Sequence, residues 1–140
     1  MKIYILTIIL SIFLFETSYA KNSYFEEGKK LFNNKRYVDS KIYFEKDIVF
    51  NPKNENSYLY LAKIFKKTEK DNLEENNLKT VLLLNPKNEE AIYLLALLNI
   101  KKSNFSKTRE LILTMESVCK KMCSTTIEIK KKLDESQKSK

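Results

Sequence analysis

The same four residues occur twice in this chain, as Asn51-Pro52-Lys53-Asn54 and as Asn85-Pro86-Lys87-Asn88. A fixed spacing of about 34 residues, which separates the two copies, is typical of arrays of helical hairpins, in which each hairpin buries its apolar face against its neighbours. We call this spacing the period. Proline ends a helix, because it lacks an N–H and forces the preceding residue out of helical geometry. The period therefore predicts paired helices that are separated by a turn at each tetrapeptide.

A second pattern follows the same period and marks the first helix of each pair. A small residue stands among large residues at three- and four-residue spacings, so that two helices can approach closely along one apolar stripe. The pattern appears as Tyr24-x2-Glu27-Gly28-x2-Leu31, as Tyr58-x2-Leu61-Ala62-x2-Phe65 and as Ile92-x2-Leu95-Ala96-x2-Asn99. It divides the chain into three units, at about 21–54, 55–88 and 89–122. The alternative is an ordinary helical bundle whose helices happen to repeat.

With three units in register, the chain resembles a small, exported tetratricopeptide-repeat (TPR) protein, and the resemblance covers nearly all of residues 21–140. It implies an all-α fold, which is a right-handed superhelical stack of three helical hairpins. Residues 123–140 would then form a capping helix, which covers the last apolar face, and a frayed tail. Such stacks bind other molecules rather than transform them.

The resemblance also implies a binding surface. In this family the first helices of the repeats line a concave groove that holds a segment of a partner protein. Carried over by register, the groove positions are aromatic, aliphatic, basic or amide side chains: Phe25, Lys29, Phe32, Asn33, Leu59, Lys63, Lys66, Lys67, Tyr93, Leu97, Ile100 and Lys101. Apolar anchors and lysine charges would suit a protein or peptide that carries acidic groups. Alternatively, the apolar members, above all Phe25, Leu59 and Leu97, contact only the neighbouring repeats.

The composition argues against an enzyme. The chain has no histidine, so the commonest general base and metal ligand is missing. A single glycine excludes a glycine-rich phosphate loop or a dinucleotide fingerprint. Acidic pairs such as Glu26-Glu27 are adjacent, and adjacent side chains on a helix do not converge. We therefore expect no catalytic residue, no cofactor and no metal site.

Residues 1–20 have the layout of a signal peptide. Lys2 precedes an apolar run from Ile3 to Phe15, and the small residues Ser18 and Ala20 stand just before the expected cleavage site. This run is shorter than the roughly 20 residues that span a bilayer. An uncleaved membrane anchor is the alternative. We expect cleavage after Ala20, export to a bacterial periplasm, and no stable membrane insertion of residues 21–140.

The two cysteines, Cys119 and Cys123, lie at the end of the third unit. In an oxidising compartment such a pair tends to become a disulfide. A break between the third hairpin and the final helix would relieve the strain that a four-residue spacing causes within one helix. The alternative is two half-buried thiols that pack as small apolar groups. A metal fits less well, because two further ligands would be needed.

The charge balance bears on the partner. Lys and Arg number 26 against 18 Asp and Glu, a net charge of +8. This excess favours anionic partners, whereas lysines scattered among acids are also what a solvated surface carries. We predict a non-enzymatic protein-interaction scaffold in the bacterial cell envelope, with no nucleic-acid partner. The alternatives are a basic module that binds an anionic envelope polymer or a membrane surface, and a minor subunit of an envelope assembly complex.

Overall fold

Residues 24–138 are described by the computed structural model, and every regular element among them is an α-helix. The helices are α1 at 24–33, α2 at Tyr37–Phe50, α3 at Glu55–Lys67, α4 at Asp71–Leu84, α5 at Glu89–Lys101, α6 at Phe105–Val118 and α7 at Cys123–Lys138. The all-α class that the period predicted is confirmed. The expected signal peptide lies outside the described residues. No helix in residues 24–138 is both long and apolar enough to cross a membrane.

The helix boundaries follow the period found in the sequence. The first helices that begin at Glu55, Glu89 and Cys123 are each separated by one full period. The same holds for the second helices, which begin at Tyr37, Asp71 and Phe105. The last helix, α7, thus starts where the period places the first helix of a further pair. It continues the repeat, a relationship that the sequence prediction of a capping helix did not include.

The turn inside each pair closes in the same way. Lys35, Glu69 and Ser103 have φ angles of 59°, 54° and 58°, in the left-handed region. In each turn, the N–H of the next residue donates to the carbonyl five positions before it, at 2.7 to 2.9 Å. This closure satisfies a carbonyl group that the end of the helix leaves without a partner. Because non-glycine residues occupy the left-handed positions, the glycine signal that usually predicts such a turn is missing.

The Asn-Pro-Lys-Asn segments cap the helices that follow them. The side chain of Asn88 accepts the N–H of Ala91 at 3.0 Å, and the side chain of Asn54 accepts the N–H of Asn56 at 3.3 Å. Such bonds satisfy N–H groups that have no partner in the first turn of a helix. The tetrapeptide therefore both ends one helix and begins the next.

The described chain forms two compact units, residues 24–60 and 61–138, so that the boundary falls inside α3. The centre of the first unit is the fully buried ring of Phe44. The centroid of this ring lies 4.9 Å from that of Tyr60 and 5.8 Å from that of Phe25. Gly28 faces the same ring, and a Cβ atom there would stand 2.8 Å from Cε1 of Phe44. The missing side chain at Gly28 therefore allows α1 and α2 to approach closely.

A buried carboxylate organises the turn between α2 and α3 in the first unit. Asp47 is 0 % exposed, and it accepts the hydroxyl of Ser57 at 2.5 Å. It also accepts the side-chain amides of the two asparagines of the tetrapeptide turn, at 3.0 and 2.7 Å. The second unit has Val81 and Ala91 in the same places of the period, and both are buried. The two turns thus have corresponding sequences, but the buried side chains are polar in the first and apolar in the second.

In the second unit, α5 packs against α4, α6 and α7, and α7 packs against α6. Ile129 and Leu133 of α7 form one buried cluster with Ala96 of α5 and Ile112 of α6. Ile129 is 0 % exposed. The docking of α7 therefore depends on two apolar side chains that are four residues apart and lie on the same side of the helix.

Candidate binding surface on the first helices

Three half-buried side chains lie along one face of α5. Tyr93, Leu97 and Ile100 are four and three residues apart, the spacing that places side chains on the same side of a helix. Tyr93 and Ile100 also pack against the buried cluster of the second unit. We call Tyr93, Leu97 and Ile100 the α5 strip. The strip therefore presents apolar surface, and the packing of Tyr93 and Ile100 against the buried cluster fixes its position.

Polar contacts fix the helices beside the α5 strip. Lys63 of α3 forms an ion pair with Glu90, and the Nζ–Oε1 distance is 2.7 Å. On the other side, the hydroxyl of Tyr93 donates to Glu128 of α7 at 2.9 Å. These contacts join α5 to a helix on each side, so the surroundings of the strip are already ordered before any partner arrives.

Two side chains of α5, Tyr93 and Lys101, have shifted pKa values. Burial raises the pKa of Tyr93 above its ordinary value, and the hydrogen bond to the carboxylate of Glu128 raises it further. The hydrogen bond to Asp71 raises the pKa of Lys101, with burial acting in the opposite direction. Tyr93 therefore stays a neutral donor, and Lys101 stays charged, across the physiological pH range.

The lysines expected on the first helices of the second unit are partly neutralised. Lys63 is paired with Glu90, and Lys101 is paired with Asp71 at 2.7 Å. Lys66 is exposed and has no ion pair within the described part of the chain. The unpaired positive charge of this surface is therefore smaller than the number of lysines suggests. Apolar side chains consequently make up a larger part of the groups that are available for contact.

In the first unit, the expected groove residues divide between interior and surface. Phe25 and Phe32 are half-buried, and their rings lie 5.8 and 5.0 Å from the ring of Tyr60. Leu59 is only 5 % exposed, so it belongs to the interior. Lys29 pairs with Glu26 at 3.2 Å and lies 5.6 Å from the ring centroid of Phe25, whereas Asn33 is exposed.

One exposed apolar side chain of α7, Ile127, was not among the predicted groove residues. Ile127 is 73 % exposed and stands one period after Tyr93, at the corresponding position of its helix. The predicted repeats ended at residue 122, and α7 was predicted only as a cap. Extending the count by one more period would have found Ile127.

The turn that precedes α7 is held by two devices. The sulfur atoms of Cys119 and Cys123 are bonded, and the two Cα atoms lie 5.2 Å apart. The carboxylate of Glu89 accepts the backbone N–H groups of Lys120, Lys121 and Met122 at 3.0, 3.0 and 2.6 Å. We call these three hydrogen bonds the Glu89 clasp. The bonds lower the pKa of Glu89, the N–H of Met122 contributing most, so this group remains a carboxylate at neutral pH.

The described surface offers apolar area and ordered polar groups. Residues 24–138 contain no group of three or more Cys, Asp or Glu side chains arranged to hold a metal ion. The α5 strip, by contrast, combines apolar area with fixed polar neighbours, which is the arrangement that a protein segment can dock against.

Comparison with known proteins was made by sequence and by structure. No protein-family model matches this sequence, and no curated protein matches it. Solved structures do match the fold. One is the Yersinia enterocolitica type III secretion chaperone SycD in complex with a peptide of the translocator YopD, with a TM-score of 0.73 and 12 % identity over 84 % of this chain and 92 % of that chain.

Two further solved structures are similar to the same extent. The TPR2B domain of yeast Sti1, in its pHsp70 complex, has a TM-score of 0.73 and 14 % identity over 86 % of this chain and 98 % of that chain. The first TPR of Spaghetti (RPAP3), bound to an HSP90 peptide, has a TM-score of 0.71 and 15 % identity over 80 % of this chain and 89 % of that chain. The TM-scores show that these proteins share a fold with this chain, and at identities this low the similarity shows the fold alone.

Proposed function

We propose that this chain, which has the TPR fold, is a non-enzymatic scaffold that binds a segment of a partner protein. The observation that carries the proposal is the α5 strip, a row of half-buried apolar side chains with ordered polar neighbours. The similar structures of SycD and of the first TPR of Spaghetti (RPAP3) are complexes with peptides, which supports the same kind of partner here.

The physical basis is an apolar contact on a surface that is already ordered. Apolar anchors in a desolvated patch supply most of the free energy in protein recognition. A surface whose helices are held by ion pairs and packing loses little conformational freedom on binding, which favours affinity. The three side chains of the α5 strip would suit a segment with two or three apolar side chains on one side. Lys66 would add attraction for an acidic group beside them.

Site-specific photo-crosslinking tests this proposal. A photo-reactive amino acid at position 97 should crosslink a protein partner in the native cell extract. The matched control is position 113, where Leu113 is 66 % exposed on the second helix α6. A partner that is captured at 97 and absent at 113 would support the α5 strip. Equal capture at both positions, or none at 97, would refute it.

The ionic strength of the same experiment separates the alternatives. A contact led by apolar anchors should persist when salt is raised from about 0.15 M to about 1 M, where the screening length falls from about 8 to about 3 Å. A contact with an anionic polymer or a membrane surface should weaken steeply over this range. The ion pairs of Lys63 and Lys101 favour the first outcome, because they reduce the positive charge that is free for a polymer.

The envelope location is part of the proposal. Residues 1–20 have the signal-peptide layout, and a disulfide between Cys119 and Cys123 is the kind of bond that persists in oxidising compartments. We place the scaffold in a bacterial periplasm. Mass spectrometry of the protein from fractionated cells should find a mature chain that begins at Lys21, and a cytoplasmic chain that still begins at Met1 would contradict this location.

A further inference from the structure

The turn between α6 and α7 lacks the residues that close the two earlier turns. Counting by the period, Cys119 stands in the place of Asn85, Lys120 in the place of Pro86, and Met122 in the place of Asn88. The helix-ending proline and the capping asparagine are therefore both replaced. The disulfide and the Glu89 clasp occupy this turn instead.

The Glu89 clasp joins the start of α5 to the start of α7. One carboxylate at the start of α5 accepts the N–H groups of the three residues that immediately precede α7. The disulfide closes the same short segment from its two ends. Cys119 is half-buried and Cys123 is exposed, so a reductant can reach the bond.

The position of α7 affects the α5 strip directly. Glu128 of α7 accepts the hydroxyl of Tyr93, the first residue of the strip, at 2.9 Å. Ile127, next to Glu128, is 73 % exposed and occupies the period position of Tyr93. The inner side chains of α7 that hold it in place are few, chiefly Ile129 and Leu133. A change in the turn would therefore change both the contact of Tyr93 with Glu128 and the position of Ile127.

We propose that α7 is part of the partner-binding surface through Ile127, and that the Cys119–Cys123 disulfide and the Glu89 clasp hold it there, so that a dithiol reductant weakens binding. The proposal rests on the binding function of the α5 strip. In the reduction, the dithiol supplies two electrons and two protons, the Sγ–Sγ bond breaks, Cys119 and Cys123 become thiols, and the reductant becomes a disulfide.

Hydrogen exchange of the full chain tests the turn without any partner. Dithiothreitol should accelerate amide exchange in α7 about tenfold and leave α4 unchanged, because only α7 loses a restraint. A Cys119→Ser/Cys123→Ser variant should show the faster exchange without reductant and no response to it. Glu89→Gln should also accelerate exchange in α7, whereas Glu90→Gln, which alters the pair with Lys63, should not. If neither reduction nor Glu89→Gln affects α7, the proposed control by this turn is wrong.

A defined peptide tests binding separately. The probe is a dodecapeptide selected by display on the oxidised protein, labelled for fluorescence anisotropy. Leu97→Ser should weaken its binding about tenfold, the effect of losing one apolar anchor. Ile127→Ser and reduction should each weaken binding to a similar degree, whereas Leu113→Ser, an exposed site on α6, should have no effect. Circular dichroism of each variant checks that the helices are retained.

The outcomes distinguish the two proposals. Binding that is insensitive to Leu97→Ser would refute the function of the α5 strip. Binding that depends on Leu97 but not on Ile127 or on the disulfide would leave that function intact and refute the role of α7.

Discussion

Replacing Gly28 by alanine should destabilise the protein, although alanine is the better helix former by about 1 kcal/mol. The new methyl group would stand 2.8 Å from Cε1 and 3.0 Å from Cδ1 of Phe44. The Phe44 ring is fully buried, and the rings of Tyr60 and Phe25 lie 4.9 and 5.8 Å away, so it has little room to move. Overpacking of this kind costs about 1–3 kcal/mol. We expect a net loss in the free energy of unfolding of up to about 2 kcal/mol.

The repeat provides the control for this prediction. Ala62 and Leu78 occupy the period positions of Gly28 and Phe44 in the next pair of helices, so alanine is accommodated where the facing residue is leucine. Phe44→Leu alone should cost about 1–2 kcal/mol through lost apolar contact. In that background, Gly28→Ala should become neutral or stabilising by up to about 1 kcal/mol.

Urea unfolding followed by circular dichroism measures the four proteins of this double-mutant cycle. The expected result is a coupling free energy of about 1–3 kcal/mol between the two positions. A Gly28→Ala variant that is more stable than the parent chain, by the same amount in both backgrounds, would refute the argument. It would mean that the Phe44 ring does not limit the approach of α1 to α2.

Two further predictions concern buried and paired carboxylates. Asp47→Ala should lower the free energy of unfolding by about 2–4 kcal/mol, because three donors around this buried carboxylate lose their acceptor. The double variant Asp47→Val with Ser57→Ala carries the apolar pair that the second unit has in these places. In urea titrations it should recover part of the loss. The hydrogen bonds from Lys102 and Lys79 lower the pKa of Glu75 from 4.5 to about 2. A lowered pKa of Glu75 stabilises the fold when the pH is above the ordinary pKa of a glutamate, so the free energy of unfolding should fall as the pH drops from 5 towards 2. Glu75→Gln should reduce this dependence on pH. If the dependence is unchanged in the variant, the pairing is contradicted.

The helix order could be predicted because the signals that set it are local. Each Asn-Pro-Lys-Asn segment ends one helix and caps the next by contacts within a few residues, so its sequence carries the information. The turns within the pairs lacked such a signal, since Lys35, Glu69 and Ser103 adopt the left-handed conformation without being glycine.

The binding surface could be predicted only in part, because it depends on contacts between distant residues. The period indicates which side of a first helix a residue faces, and in the structure Tyr93, Leu97 and Ile100 are half-buried along one side of α5. It does not indicate which charges are neutralised. The partner of Lys63 is Glu90, on the next first helix, and net charge alone cannot reveal such a pair. The burial of Leu59 likewise depends on packing that the spacing does not describe.

Departures from the repeat are tolerated where the polar group finds a partner nearby. Asn99 stands where the other two units have Leu31 and Phe65, and its buried amide donates to the carbonyl of Leu95, one turn earlier, at 2.8 Å. In the last turn, where Lys120 replaces the proline, Glu89 accepts three backbone N–H groups. Glu74 is different: it is 3 % exposed at a position where the other two units have Ser40 and Thr108, and burial raises its pKa.

A raised pKa means that the folded state favours the protonated form of Glu74. This residue therefore opposes folding more strongly as the pH rises above the ordinary pKa of a glutamate. Asn99 and Glu89 therefore have evident structural compensation, whereas Glu74 lowers stability at neutral pH. Its neighbours include Lys66, whose charge partly offsets the cost of burial. A partner acid that attracts Lys66 would remove some of this compensation. The attraction of Lys66 for an acidic partner group and the loss of its compensation at Glu74 would therefore partly cancel, so apolar contact with the α5 strip would supply the larger share of the binding that we propose.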